Sequence, residues 1–166
     1  LDRVELHAAS LESYPSIFHV ISRHEFDECY HLAAQSFVAE SFADGFSTMD
    51  MNVNGAHFVL AALHQLQPRC KFYFAGSSEM FGRVRESPQN ELTPFNPRSP
   101  YGISKVAGHY LTLNYRESYR MFACSGQMGL DSAPRQDAAV DARVQRLDPS
   151  VHHFGESGHV GHVEHR

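Results

Sequence analysis

Positive charge is scarce in this chain: 14 Lys and Arg stand against 19 Asp and Glu, a formal charge of -5. That balance argues against nucleic-acid binding and against attachment to anionic membranes. No apolar run approaches the roughly 18 residues that a membrane-spanning helix requires. No secretory signal opens the sequence. Its three cysteines, Cys29, Cys70 and Cys124, lie far apart, and none forms a C-x-x-C pair. An odd, scattered set of thiols points to a reducing, cytoplasmic setting. An ordinary start is lacking too. The chain begins at Leu1 without Met and runs into a strand-like segment, so a missing N-terminus is expected.

What is present is a globular composition. The 166 residues are 42% hydrophobic and 11% aromatic, enough for one domain with a sizeable core. Val4 to His7 alternates as a short strand does. Ser13-Tyr14-Pro15-Ser16 then introduces a helix carrying Ile17, Phe18, Val20 and Ile21. Residues 27–34 read as a second strand ending in small residues, and residues 35–38 as a loop. Residues 50–66 predict an amphipathic helix whose inner stripe is Val53, His57, Leu60, Ala61 and residues 63–66.

Residues 71–75, Lys-Phe-Tyr-Phe-Ala, read as a strand buried on both faces of a parallel sheet. It ends in Gly76-Ser77-Ser78-Glu79, polar groups at the edge where open α/β sheets place their ligands. A long loop, 83–100, follows, and loops of that length inside a compact domain are commonly functional. Ser99 reads as an N-cap and Pro100 as the first residue of a helix reaching about Arg120. Its core stripe is expected at Ile103, Val106, Ala107, Tyr110, Leu113 and Glu117. Gly102 and Gly108 each cost this helix about 1 kcal/mol relative to Ala, so close approach by a neighbour or ligand is expected there. Residues 121–125 give a fourth strand. Strands alternating with helices predict a partial doubly wound, Rossmann-like parallel sheet with flanking helices.

Tyr101 and Lys105 stand four residues apart, on one helical face. A lysine ammonium beside a phenol favours the phenolate, which can exchange a proton with an alcohol near neutral pH. The same spacing also occurs on ordinary surface helices, so the rest of the chain has to decide between the two. Beyond Gly126, residues 127–166 are rich in Asp, Arg, Gly and His and show little periodicity. His159, His162 and His165 recur every third residue, but Gly158 and Gly161 interrupt any helix there, and no metal site is assigned.

Six segments occur in an order that resembles the GDP-mannose 4,6-dehydratases of the extended short-chain dehydrogenase/reductase family. They are Leu32-Ala33-Ala34-Gln35-Ser36, Phe72-Tyr73-Phe74-Ala75, Ser77-Ser78-Glu79-Met80-Phe81-Gly82, Thr93-Pro94-Phe95, Arg98-Ser99-Pro100-Tyr101-Gly102 and Asn114-Tyr115-Arg116-Glu117. The resemblance implies NADP as cofactor, GDP-mannose as substrate and a homo-oligomer paired through the helices that begin near Asp50 and Tyr101. It implies a hydride leaving the sugar's C4 while Tyr101 accepts the 4-hydroxyl proton. Ser77 would hydrogen-bond the same oxygen, Glu79 would remove the C5 proton before water leaves C6, and Lys105 would hold the nicotinamide ribose. Leu32, Ala33, Ala34, Gln35 and Ser36 would line the cofactor. Ser78 ahead of Glu79 favours this branch over relatives with an Asp-Glu pair.

Three departures accompany the resemblance. The glycine-rich phosphate turn is not in the sequence, and Ser10-Leu11 stands where the family has an Asp-Leu pair near the adenine. After Gly126 the family's Asn-His-Glu-Ser-Pro stretch is replaced by residues 130–134, Leu-Asp-Ser-Ala-Pro. Residues 1–126 are therefore read as part of an NADP-binding domain, and 127–166 as a divergent tail, disordered or produced by a shifted reading frame. Two alternatives stay open: a catalytically inactive remnant or interface segment, and another sugar-nucleotide dehydratase or epimerase.

Overall fold

The computed structural model describes residues 4–90 and 92–126. The expectations for residues 127–166, the histidine repeat and the shifted frame among them, lie outside the described residues.

Tyr14–Arg23 forms helix α1, started by Ser13, whose Oγ accepts the Ser16 N–H. Strand β1, Glu28–His31, is shorter than the expected 27–34. Two short helices follow, α2 (Val38–Ala43) and α3 (Gly45–Met49), then a π-helical turn (Asp50–Asn54) and helix α4 (Gly55–Leu66). Helical structure thus begins before residue 50, the expected start of the helix, and α2 begins at Val38, the last residue of the expected 35–38 loop. Asp44 accepts the Ser47 N–H at the start of α3, which supplies the missing start signal. Strand β2 is Lys71–Ala75, a 3-10 turn covers Ser78–Met80, helix α5 is Pro100–Tyr119 and strand β3 is Ala123–Gly126.

The three strands are parallel, in the order β1-β2-β3, with Phe72 opposite Cys29 on one side and Ala123 on the other. Crossovers of one hand between strands taken in sequence order put both crossover helices on the same face. Phe72, Phe74 and Ala123 point to that face and pack with Leu60, Leu63, Tyr115 and Ile17 in one core. On the other face, among the described residues, Tyr30 and Phe122 are 62% and 61% exposed.

Two expectations fail. Val4 to His7 forms no strand: Val4 is 67% and Leu6 90% exposed, and among the described residues β1 pairs with β2 alone. Alternation alone does not make a strand when no partner takes its backbone groups. The expected stripe of α5 is also misplaced, and that of α4 only in part, since Leu60 and Leu63 are buried as expected. On α4, His57 is exposed and the buried set is Gly55, Ala56, Val59, Leu60, Ala62 and Leu63. On α5, Ile103 and Tyr110 face solvent, while Tyr101, Ser104, Lys105, His109 and Thr112 are buried.

The glycines explain that inversion. A Cβ on Gly102 would stand 2.5 Å from the Glu79 carbonyl oxygen, and one on Gly108 would enter the Phe74 ring. Small residues let α5 lie directly on β2 and its following turn. That is the face carrying Tyr101 and Lys105, so the polar side of the helix becomes the inner one.

Candidate active site

The site is assembled where the carboxyl ends of β1 and β2 meet the first turns of α5. Ser99 caps α5 by accepting the Gly102 N–H at 3.0 Å, and Pro100 follows as the first helical residue, as the sequence predicts. Met80 at the end of the 3-10 turn accepts the Asn96 N–H at 3.0 Å, which ties the long loop back beside the site. The loop therefore returns the chain from the end of β2 to the start of α5.

Lys105 is 4% exposed and its Nζ donates a 3.0 Å hydrogen bond to the carbonyl of Ala75, the last residue of β2. The same ammonium lies 5.0 Å from the Phe74 ring centroid and 5.8 Å from that of Tyr101. Burial pushes the amine down to about 8. Tyr101 is 8% exposed. The expected pair therefore shares one buried face, at the end of the strand that leads into Ser77 and Glu79.

Ser77 caps the 3-10 turn, its Oγ accepting the Glu79 N–H at 3.3 Å. That bond uses an oxygen lone pair and leaves the hydroxyl proton to donate. Ser77 and Glu79 are both partly exposed, at the lip of the sheet. The Glu79 carbonyl rests on Gly102, so the acid's backbone is fixed against the first turn of α5.

The loop Leu32 to Ser36 leaves the carboxyl end of β1, with Leu32, Ala33 and Ser36 exposed. Gln35 is held at both backbone groups: its N–H donates to Asn52 Oδ1 at 2.8 Å, and its carbonyl accepts from Asn52 Nδ2 at 3.0 Å. Ser10 is exposed, and its N–H donates to Ser16 Oγ at 3.0 Å. Leu11 turns inward against Gly55. The geometry thus gathers Ser77, Glu79, Tyr101, Lys105 and the 32–36 loop on one edge, while Leu11 packs on the core.

Two residues of this region escaped the sequence reading. Asn52, 4% exposed in the π-helical turn, also donates to Ser104 Oγ at 3.0 Å, and Ser104 donates to the Tyr101 carbonyl at 2.7 Å. One amide thereby couples the 32–36 loop to the helix bearing Tyr101. An asparagine among apolar helix positions, three residues before Gly55, was the available signal. His31 ends β1 at 5% exposure, its ring 6.0 Å from that of Phe74. Burial, and then the nearby Lys105 charge, holds its imidazole down to about 4, so it is neutral at pH 7.

A parallel sheet crossed at its carboxyl edge by a buried Tyr-x-x-x-Lys helix, with a serine at the neighbouring strand end, defines a Rossmann-like domain of the short-chain dehydrogenase/reductase type. RMD of Pseudomonas aeruginosa, solved in complex with NADPH, superimposes with a TM-score of 0.65 at 29% identity, over 69% of this chain and 39% of its own. The sequence model of the family described as GDP-mannose 4,6 dehydratase matches residues 1–151, and the chain belongs to that family. The match continues past Gly126, where the recognisable motifs were expected to end.

GDP-mannose 4,6 dehydratase 2 of Caenorhabditis elegans is 42% identical over 144 residues, 85% of this chain and 38% of that protein. GDP-mannose 4,6 dehydratase 2 of Arabidopsis thaliana is 45% identical over 137 residues, 80% of this chain and 36% of that protein. The chain therefore spans well under half the length of these curated relatives.

Proposed function

We propose that this chain carries the catalytic edge of a GDP-mannose 4,6-dehydratase that uses NADP. One observation carries the reading: the buried Lys105 amine joins the helix of Tyr101 to the end of the strand that delivers Ser77 and Glu79. A nicotinamide dinucleotide fits the residues present. The exposed Leu32 and Ala33 lie at the carboxyl edge beside a buried amine, and Gln35 is locked in place by Asn52. Ser36 and Ala34 would complete that lining, and by the family resemblance Ser10 and Leu11 would lie toward the adenine.

Bound NADP supplies reversible hydride transfer. Tyr101 takes the proton of the sugar 4-hydroxyl through its phenolic oxygen, and Lys105 places a positive charge beside that ring. Ser77 donates its free hydroxyl proton to the same sugar oxygen. Once C4 is a ketone the C5 proton is acidic; Glu79 removes it and gives a proton to the C6 hydroxyl, which leaves as water. The hydride taken from C4 would then be returned to C6 as C5 is reprotonated, so that the cofactor ends as it began. The product is GDP-4-keto-6-deoxymannose.

The helices of this edge also support pairing of identical chains. Phe42, Phe46, Ile103 and Tyr110 are large apolar side chains exposed on α2, α3 and α5. No helix among the described residues is long and apolar enough to cross a membrane, and Cys29, Cys70 and Cys124 are all free. Those thiols support a cytoplasmic location.

Titrating the purified chain with NADPH and assaying it with GDP-mannose tests the reading. Cofactor binding with turnover is the expected result, and no binding at millimolar NADPH with no turnover overturns it for the isolated chain. A second reading rests on one specific observation. The open sheet face, with Tyr30 and Phe122 exposed, suits a remnant that catalyses nothing by itself.

A further inference from the structure

Residues 4–7 lie outside the sheet, yet two of their side chains converge on the end of α1. Glu5 Oε1 is 3.1 Å from His7 Nε2 and 3.9 Å from His24 Nε2. The two imidazole rings stand 4.4 Å apart between centroids, tilted by 52°. One ligand atom from each of the three residues lies within 4.8 Å of the others. Metal–nitrogen and metal–oxygen bonds of about 2.1 Å at a tetrahedral zinc ion require ligand atoms about 3.4 Å apart. The two measured carboxylate–imidazole separations bracket that value.

The frame behind one ligand is built. His24 caps α1, and its carbonyl accepts a hydrogen bond from Gln67 Nε2, which also bonds the Ile21 carbonyl at 2.7 Å. Gln67 Oε1 takes the Phe26 N–H at 2.8 Å on the other side of His24. The His24 ring lies 6.1 Å from that of Phe26. Glu5 and His7, two residues apart, bring their side chains together within 3.1 Å.

We propose that Glu5, His7 and His24 form a zinc site, with two imidazoles and one carboxylate as ligands and a water in the fourth position. Two nitrogens and one oxygen are a donor set that suits Zn2+ over Mg2+ or Ca2+, which prefer all-oxygen shells. The imidazoles have 32% and 28% of their side-chain surface exposed, so an ion can enter without unfolding. Bound there, the ion pins residues 4–7, which pair with no strand among the described residues, to the end of α1. The site plays no part in the dehydratase chemistry proposed above.

The chain has 12 histidines, so the test must separate this cluster from His152, His153, His159, His162 and His165. The full-length chain with those five changed to glutamine serves as background, and Zn2+ binding is followed by calorimetry and by imidazole NMR. One bound Zn2+, with His7 and His24 resonances shifting together, is expected. In the same background, Glu5→Gln and His24→Ala should each weaken binding at least tenfold, with circular dichroism unchanged. Loss of all binding in the five-glutamine background, or binding indifferent to both variants, overturns the site. His7→Ala provides a third ligand removal should His24→Ala alter the fold.

Discussion

Lys105 Nζ reaches the Ala75 carbonyl across 3.0 Å, so a charged group of α5 closes on the last peptide of β2. A carbonyl at the end of a parallel strand has no further ladder partner on that edge, and a buried one needs a donor. Lysine meets that need while lying beside the Tyr101 ring. The bond therefore completes the backbone of the sheet and fixes the distance between the proposed acid-base pair and the Ser77 turn.

Tyr101→Phe keeps the ring and removes the oxygen that exchanges the proton. Turnover of GDP-mannose by an active preparation should fall by about 10²- to 10⁴-fold, the usual share of general acid–base catalysis. NADPH affinity should change little. Steady-state kinetics with fluorescence titration checks both, and undiminished turnover removes Tyr101 from the mechanism.

Gly102→Ala should destabilise the fold although alanine is the better helix former. The gain in helix propensity is about 1 kcal/mol, whereas the new methyl group would meet the Glu79 carbonyl oxygen at 2.5 Å. Overpacking against backbone costs about 1–3 kcal/mol. The net loss should appear as a lower urea midpoint, and a higher midpoint would show that the helix and turn separate easily.

Asn52→Leu should uncouple the 32–36 loop from α5. Its amide serves Gln35 twice and Ser104 once. Removing it strands the Gln35 backbone groups, at about 1–3 kcal/mol for each group left without a partner. Faster hydrogen exchange at the Gln35 amide is the local sign. Exchange unchanged at that amide would mean the loop is held by other contacts.

His31 should make the protein acid-sensitive. Its folded value is lowered to about 4, below the ordinary 6.5, so the unfolded chain binds the extra proton first. Stability from the neutral imidazole is therefore complete above about pH 6.5 and is lost as pH falls toward 4. A shift of that size corresponds to about 3 kcal/mol at most. His31→Phe should flatten this part of the stability curve, measured by denaturation at pH 7 and pH 4.5, and an identical slope in both proteins would refute it.

Local chemistry was readable in the sequence because its causes are local. Ser99 and Pro100 mark the start of α5 through cap geometry, the apolar run of β2 marks a buried strand, and Tyr101 with Lys105 share a face by helical period alone. The parallel sheet follows from strands alternating with helices. Tertiary packing decided the rest. Alternation at Val4 to His7 says nothing about whether a neighbouring strand exists to accept it. Hydrophobicity assigned Ile103 and Tyr110 to the core, but Gly102 and Gly108 admit β2 and its turn so closely that the opposite, polar face is buried. The same packing gave Asn52 and His31 their roles, since each acts through partners distant in sequence that only the fold brings within reach.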